Sequence, residues 1–319
     1  MNLAIRGWWF VGSMSLAALP MSAVAETDVI FIDGFEPIPG FQIQLPQIMV
    51  PPGGSGTYSY YVRAPIAGPM AVKRWSSTIT AATHHVIAYA TYDSAWMPLE
   101  MHPTGTLLES SCLESIGSGQ VGWLYAAHHP TQDLVLPNDD GVGKPLAMEI
   151  QAAQPLCLEI YIPSSDTTLT ASALLRADSL PTGQPYTKSA AYLTYNFSLT
   201  IPPSTTVTVQ QTCPTPAGAK FWRVSTRTHR FATFSRILDG TSVLLENPDW
   251  EDPAGATFTA PAFHPFASGG LKYECTYFNF SGNTVHAGEQ EDLDEVCMGI
   301  GYFFPAEHPA FCLNSSGPL

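Results

Sequence analysis

The chain of 319 residues is long enough for two domains, each with its own buried core. Only 13% of the residues are charged against 45% hydrophobic, and 28 prolines and 25 glycines interrupt the chain, which favours many short strands over long helices. With 27 acidic and 13 basic residues the formal net charge is -14, which repels phosphate backbones and anionic lipid and excludes nucleic acid as a natural partner.

At the N-terminus, Arg6 precedes an apolar run from Gly7 to Leu19 and the small residues Ala23-Val24-Ala25. This pattern predicts a secretion signal over residues 1 to about 25, cleaved near Ala25. A membrane anchor is the alternative, but the run is shorter than the ~20 apolar residues that a span requires. No later segment is long and apolar enough to span, so the mature chain is expected to be exported, secreted or periplasmic, with no membrane span. In an oxidising compartment the six cysteines are expected to form disulfides, no CxxC spacing argues for zinc, and sequence alone does not choose the pairing.

Residues 26–44 read as an extended lead-in, and Pro51-Pro52-Gly53-Gly54-Ser55-Gly56 as a turn. Strand composition follows over 57–62, 86–92 and 121–126; the turn Pro137-Asn138-Asp139-Asp140-Gly141 precedes further strands over 146–150, 156–162 and 167–175. A break at Pro181-Thr182-Gly183-Gln184-Pro185 places a boundary near residue 180. Beyond it, strands are predicted over 192–201, 205–210, 221–226, 236–238, 271–280 and 296–304. Short strands at regular spacing indicate two antiparallel β-sandwich domains, 45–180 and 181–317. Asn196, Asn279 and Asn314 each open an Asn-x-Ser triplet, a pattern that arises often by chance and is assigned no function.

Several stretches carry a family resemblance. They are Thr83-His84-His85 before an apolar strand, Leu124-Tyr125-Ala126 leading through Leu136-Pro137 to Gly141-Val142-Gly143, and Leu271-Lys272-Tyr273-Glu274-Cys275 to Asn279. The closing run Asp294-Glu295-Val296-Cys297 through Tyr302-Phe303-Phe304-Pro305 is the most specific. Over residues 58–312 the chain resembles the copper type II, ascorbate-dependent monooxygenases, the group containing peptidylglycine alpha-hydroxylating and dopamine beta-monooxygenase. The resemblance implies two jelly-roll-like sandwiches facing each other across a cleft, each holding one copper, with ascorbate as reductant and a small-molecule or peptide substrate hydroxylated at a C–H bond. It also implies the disulfides Cys275–Cys297 and Cys213–Cys312, leaving Cys112 with Cys157.

Carried over by position, the ligands implied for an electron-transfer copper are His84 and His85, with Tyr161 where the family has a third histidine. A phenol binds copper only after losing a proton of pKa about 10 and then favours Cu(II), so electron cycling is expected to suffer. Glu159, two residues away, shares a strand face with Tyr161 and is a possible oxygen donor. In the implied dioxygen site only His229 remains. Arg227 stands in place of a histidine and has no lone pair, while Val296 replaces a methionine and offers no donor. Met298 lies one strand repeat further on; core packing is its alternative role. Likewise, the histidine pair has a bland alternative, one ring in the core and one on the surface, and the alternative for Tyr161 is a packed aromatic with its hydroxyl satisfied. Two functions therefore stand open: an exported copper monooxygenase impaired by lost ligands, and a non-catalytic or single-metal module in which Arg227 seeks an anion. Loss of donors at both sites argues for the second, since even supporting groups around a metal are worth roughly 10- to 100-fold in affinity or activity; the family resemblance argues for the first, and the chain is expected to be monooxygenase-like in descent and fold with impaired activity.

Overall fold

The computed structural model describes residues 39–115 and 120–314; the export signal over 1–25 and most of the lead-in lie outside them. The end of that lead-in, Gly40–Gln44, is a strand paired antiparallel with Ala173–Ser179. The regular structure of the described residues is almost all strand, with one helical turn at Cys112–Ser115.

Two β-sandwiches result. In the first, one sheet runs Gly40–Gln44, Ala173–Ser179, Met70–Ile79, Leu146–Ile150 and Thr187–Lys188, with Thr131–Val135 also on Met70–Ile79. Its partner sheet runs Leu107–Leu108, Gly56–Arg63, Pro155–Ile162, His85–Tyr92 and Gln120–Ala127. The second sandwich stacks the sheet Gly255–Thr257, Lys220–Arg227, Met298–Phe304, Ala190–Tyr195 and Ala310–Leu313 on the sheet Thr206–Cys213, Leu271–Phe278, Ala232–Asp239 and Ser242–Asn247. Pairing is antiparallel apart from Thr187–Lys188 on Leu146–Ile150 and Ala190–Tyr195 on Ala310–Leu313.

The two inner sheets are covered on both faces, and their sequences show it. Every residue of His85–Tyr92, Pro155–Ile162 and Met298–Phe304 is buried, the near-continuous apolar pattern of a strand with no solvated side. Along Met298–Phe304 the period of two sends Met298, Ile300, Tyr302 and Phe304 into a cluster with Ile87 and Trp123 of the first sandwich, while Phe303 turns to the second sandwich's own interior with Phe221 and Tyr273. The apolar core of the first sandwich is thus continuous with the surface that carries the second.

Three disulfides brace this arrangement: Cys112–Cys157 in the first sandwich, Cys213–Cys312 and Cys275–Cys297 in the second. Bonds of this kind persist in oxidising compartments. No helix among the described residues is long and apolar enough to cross a membrane.

Candidate functional site

Where the inner sheets meet, the strand ends bring most of the sequence candidates to one place. His85 opens the strand His85–Tyr92 and sits opposite Tyr161 on Pro155–Ile162, while the His84 amide donates to the Tyr161 carbonyl at 2.9 Å. Because the pair lies at a strand end, consecutive side chains converge: the Nδ1 atoms of His84 and His85 are 3.1 Å apart. Two bare nitrogen lone pairs at that distance repel, so one imidazole donates to the other. His84 stacks on Trp250, and His128 approaches both rings with centroids 6.0 and 5.5 Å away.

From the second sandwich comes Arg227, the last residue of Lys220–Arg227, 5% exposed. Its guanidinium gives Nη1 to Glu289 Oε2 at 3.0 Å and Nη2 to Glu291 Oε1 at 3.0 Å, and Nη2 also reaches Glu159 Oε1 of the first sandwich at 3.5 Å. Glu159 is fully buried, and its other oxygen accepts from the Ser111 hydroxyl at 2.5 Å and the Cys112 amide at 2.9 Å. The Cys112–Cys157 bridge holds that amide in place, since Cys157 lies two residues before Glu159 and shares its strand face. His229 Nε2 lies 3.3 Å from Glu291 Oε1 without the alignment of a hydrogen bond, and His85 Nε2 is 3.7 Å from the same oxygen.

The turn that carries His229 is fixed by a further buried carboxyl. Glu295 accepts from the His229 amide at 2.9 Å and the Phe231 amide at 2.6 Å. Val296 is fully buried with its carbonyl bound by the Tyr277 hydroxyl, and Met298 packs in the core between the sandwiches.

Electrostatics follow from burial. Burial works against the charge of Arg227, but Glu289, Glu291 and Glu159 outweigh it and hold its pKa well above the ordinary value. Burial first, and the Arg227 charge next, push His229 and His85 well below theirs. Burial pushes Glu291 up to about 8 against the pull of Arg227, and Glu295 up to about 8 against the amides it accepts. With three carboxylates facing one guanidinium, a proton retained on Glu291 trims the excess negative charge. Burial, then Asp292, drives the Tyr161 hydroxyl far above the ordinary phenol range.

This chemistry does not fit copper. Tyr161 is the wrong side of its pKa to be a phenolate, Arg227 places a fixed positive charge where a cation would sit, and Val296 offers nothing. No group of three or more His, Cys, Asp or Glu among the described residues is disposed to hold a metal ion. His85 and His229, expected to serve two separated coppers, face the same Glu291 oxygen. Arg227 is not free to seek an anion either, because its donor fork is filled by carboxylates.

Sequence reasoning passed over Glu289, Glu291 and Trp250. The acidic run Glu289-Gln290-Glu291-Asp292 has the composition of a solvated loop, and its only hint was the alternation that puts Glu289 and Glu291 together. Glu159 was marked as a possible donor; its partner proved to be Arg227.

No protein-family model matches the chain, and no curated protein matches it. Among solved structures it is similar to the major capsid protein P2 from bacteriophage PM2, with 10% identity, 81% of this chain and 97% of that chain covered, and a TM-score of 0.32. It is also similar to a chain from a structure described as the triple jelly roll fold and turret assembly in an archaeal virus, with 9% identity, 83% of this chain and 59% of that chain covered, and a TM-score of 0.18. The expected membership of the copper, ascorbate-dependent monooxygenases is corrected, together with the copper and oxidoreductase chemistry attached to it, since no family model and no curated protein supports it. Its physical reason is the geometry just described, an ion-paired arginine at the point where the ligands would have to converge.

Proposed function

We propose that the chain is a structural protein: an exported, disulfide-braced double β-sandwich whose two halves are held as one rigid body by a buried charge clasp. One observation carries this reading, the pairing of Arg227 from the second sandwich with Glu159 from the first and with Glu289 and Glu291 beside it. A reactive centre needs an open coordination position or an unengaged acid or base. The clasp closes on itself instead: Arg227 is paired with three carboxylates, and the unpartnered ring nitrogens are sealed from solvent. Export as a secreted or periplasmic protein, after signal cleavage near Ala25, is supported by the three disulfides.

The test is oxygen uptake. With copper and ascorbate added, the purified mature chain is expected to consume oxygen no faster than copper and ascorbate alone. Uptake above that background, abolished by His85→Ala, would overturn the structural reading.

A further inference from the structure

The outer sheet of the second sandwich ends on an open strand. Thr206–Cys213 pairs along its whole length with Leu271–Phe278, without a register shift, and has no strand on its other side. The Phe278 amide donates to the Phe231 carbonyl, away from Thr206, whereas the Asn279 amide donates to the Thr205 carbonyl. Backbone direction alternates along a strand, so Val207, Val209 and Gln211 turn their amides and carbonyls toward Leu271–Phe278. Those of Thr206, Thr208, Gln210 and Thr212 point outward, and all four residues are exposed. Among the described residues no group hydrogen-bonds these outward amides and carbonyls.

Such an edge is a template for another strand unless charge, proline, a bulge or shortness blunts it. The sequence Thr-Val-Thr-Val-Gln-Gln-Thr-Cys has none of these devices. The other described edge strands are guarded. Most are five residues or fewer. Gln120–Ala127 is longer but buried, with the Tyr302 hydroxyl of the second sandwich donating to its Leu124 carbonyl, and Ser242–Asn247 carries Glu246 and borders a register shift. The open strand is also held in shape: Cys213 is bridged to Cys312 at one end, and Ser204 and Thr205 are tied to the Asn279 backbone at the other. Pairing there loses little conformational freedom.

We propose that Thr206–Cys213 is a homodimerisation edge, through which two copies of the chain join antiparallel about a two-fold axis at Val209 and merge their four-stranded sheets into one. The strand is complementary to itself in that register: Thr206 meets Thr212 and Thr208 meets Gln210, each with its outward backbone groups facing the other's, and Val209 meets its own copy. No pair sets charge against charge. In a chain of net charge -14, two copies repel over most of their surfaces, so an uncharged strip is where they can approach. The proposal goes beyond the structural reading above and does not depend on the clasp, which lies at the junction of the sandwiches.

Sedimentation velocity of the full mature chain over a concentration series tests it. The parent is expected to pass from monomer to dimer as concentration rises. Thr208→Lys/Gln210→Lys sets lysine against lysine in both central pairs and is expected to raise the dimer dissociation constant at least about tenfold. Thr208→Lys/Gln210→Glu sets lysine against glutamate in the same pairs and is expected to keep the dimer. Both variants lose the Thr208 hydroxyl contact with Thr276, so a folding defect from that loss would appear in both. A parent that stays monomeric overturns the proposal and leaves the oxygen-uptake result untouched. Equal association of the two variants overturns it in favour of another face, and growth beyond a dimer overturns the closed two-fold.

Discussion

Glu291 concentrates the tension of the buried cluster in one side chain. Its Oε1 receives Arg227 at 3.0 Å and faces His229 and His85, yet burial pushes its pKa up to about 8 from the ordinary 4.5. A carboxyl whose folded pKa is raised stabilises the fold fully below its unfolded pKa and loses that contribution as pH rises through the folded value. His85 and His229 are depressed instead, so their contribution is present above about 6.5 and lost as pH falls through their folded values. Over the window from about pH 6.5 to about pH 8 the unfolded histidines shed their remaining protons, so toward its upper end, from about pH 7.5, the carboxyls alone set the slope. Across it Glu291 and Glu295 should each remove roughly 2 kcal/mol of stability, at ~1.4 kcal/mol per pH unit for each retained proton. Glu291→Gln imitates the protonated form, so its urea-unfolding free energy should fall about half as steeply as the parent's at that upper end; an unchanged slope would refute the assignment. None of this was legible in the sequence. Glu291 lies 64 residues from Arg227 in a run of polar residues, and only the fold brings the two together. His84 and His85 were brought together only by the family resemblance; their ring nitrogens meet because neighbouring side chains converge at the strand end.

Strands were read best where both faces are apolar. The segments 86–92, 121–126, 146–150 and 156–162 lie within or coincide with strands, because β-branched and aromatic runs with flanking turns leave little else to form. Met70–Ile79, which holds three other strands in its sheet, was not read as a strand. Its sequence, Met-Ala-Val-Lys-Arg-Trp-Ser-Ser-Thr-Ile, sends Lys73, Arg74, Ser76 and Thr78 toward the outer face, and the buried set is only Val72, Trp75, Ser77 and Ile79. Hydroxyls and long cations dilute the alternation, and a serine on the inward face breaks it; Ser77 is held there by the Tyr125 hydroxyl at 3.0 Å. Met298–Phe304 shows the opposite device, glycines that leave room for side chains over the strand: Gly299 for Leu271 and Ile237 of the facing sheet, Gly301 for Phe221 of the neighbouring strand. A Cβ at Gly301 would stand 2.5 Å from the Phe221 ring, which is fully buried and edge-on to Phe266. Gly301→Ala should therefore cost about 1–3 kcal/mol by overpacking, read as a lower denaturant midpoint with an unchanged m-value. A variant as stable as the parent would mean that the Phe221 ring, which reaches Gly301 from the neighbouring strand of the same sheet, yields.

At the scale of the whole molecule, two structures of different kind join the sandwiches. One is apolar and broad, the cluster in which Ile300, Tyr302 and Phe304 pack with Ile87 and Trp123. The other is polar and narrow, the clasp around Arg227. A buried ion pair adds little net stability compared with apolar residues of the same shape, but removing one partner alone leaves uncompensated charge and costs about 3–5 kcal/mol. The clasp thus acts less as glue than as a check on register, tolerating only the placement that brings Arg227 against Glu159. With both in place the chain should unfold as one unit, giving a single calorimetric transition whose van't Hoff and calorimetric enthalpies agree. Arg227→Ala puts the penalty at the junction of the halves and spares each sandwich's interior, where Cys112–Cys157 braces the first, and Cys213–Cys312 and Cys275–Cys297 brace the second. The expected result is a split thermogram, with a first transition at lower temperature as the halves part and a second near the parent's for the better-braced sandwich. A single transition merely displaced downward would show that the apolar layer alone enforces cooperativity, and the clasp would then be a passenger of the fold.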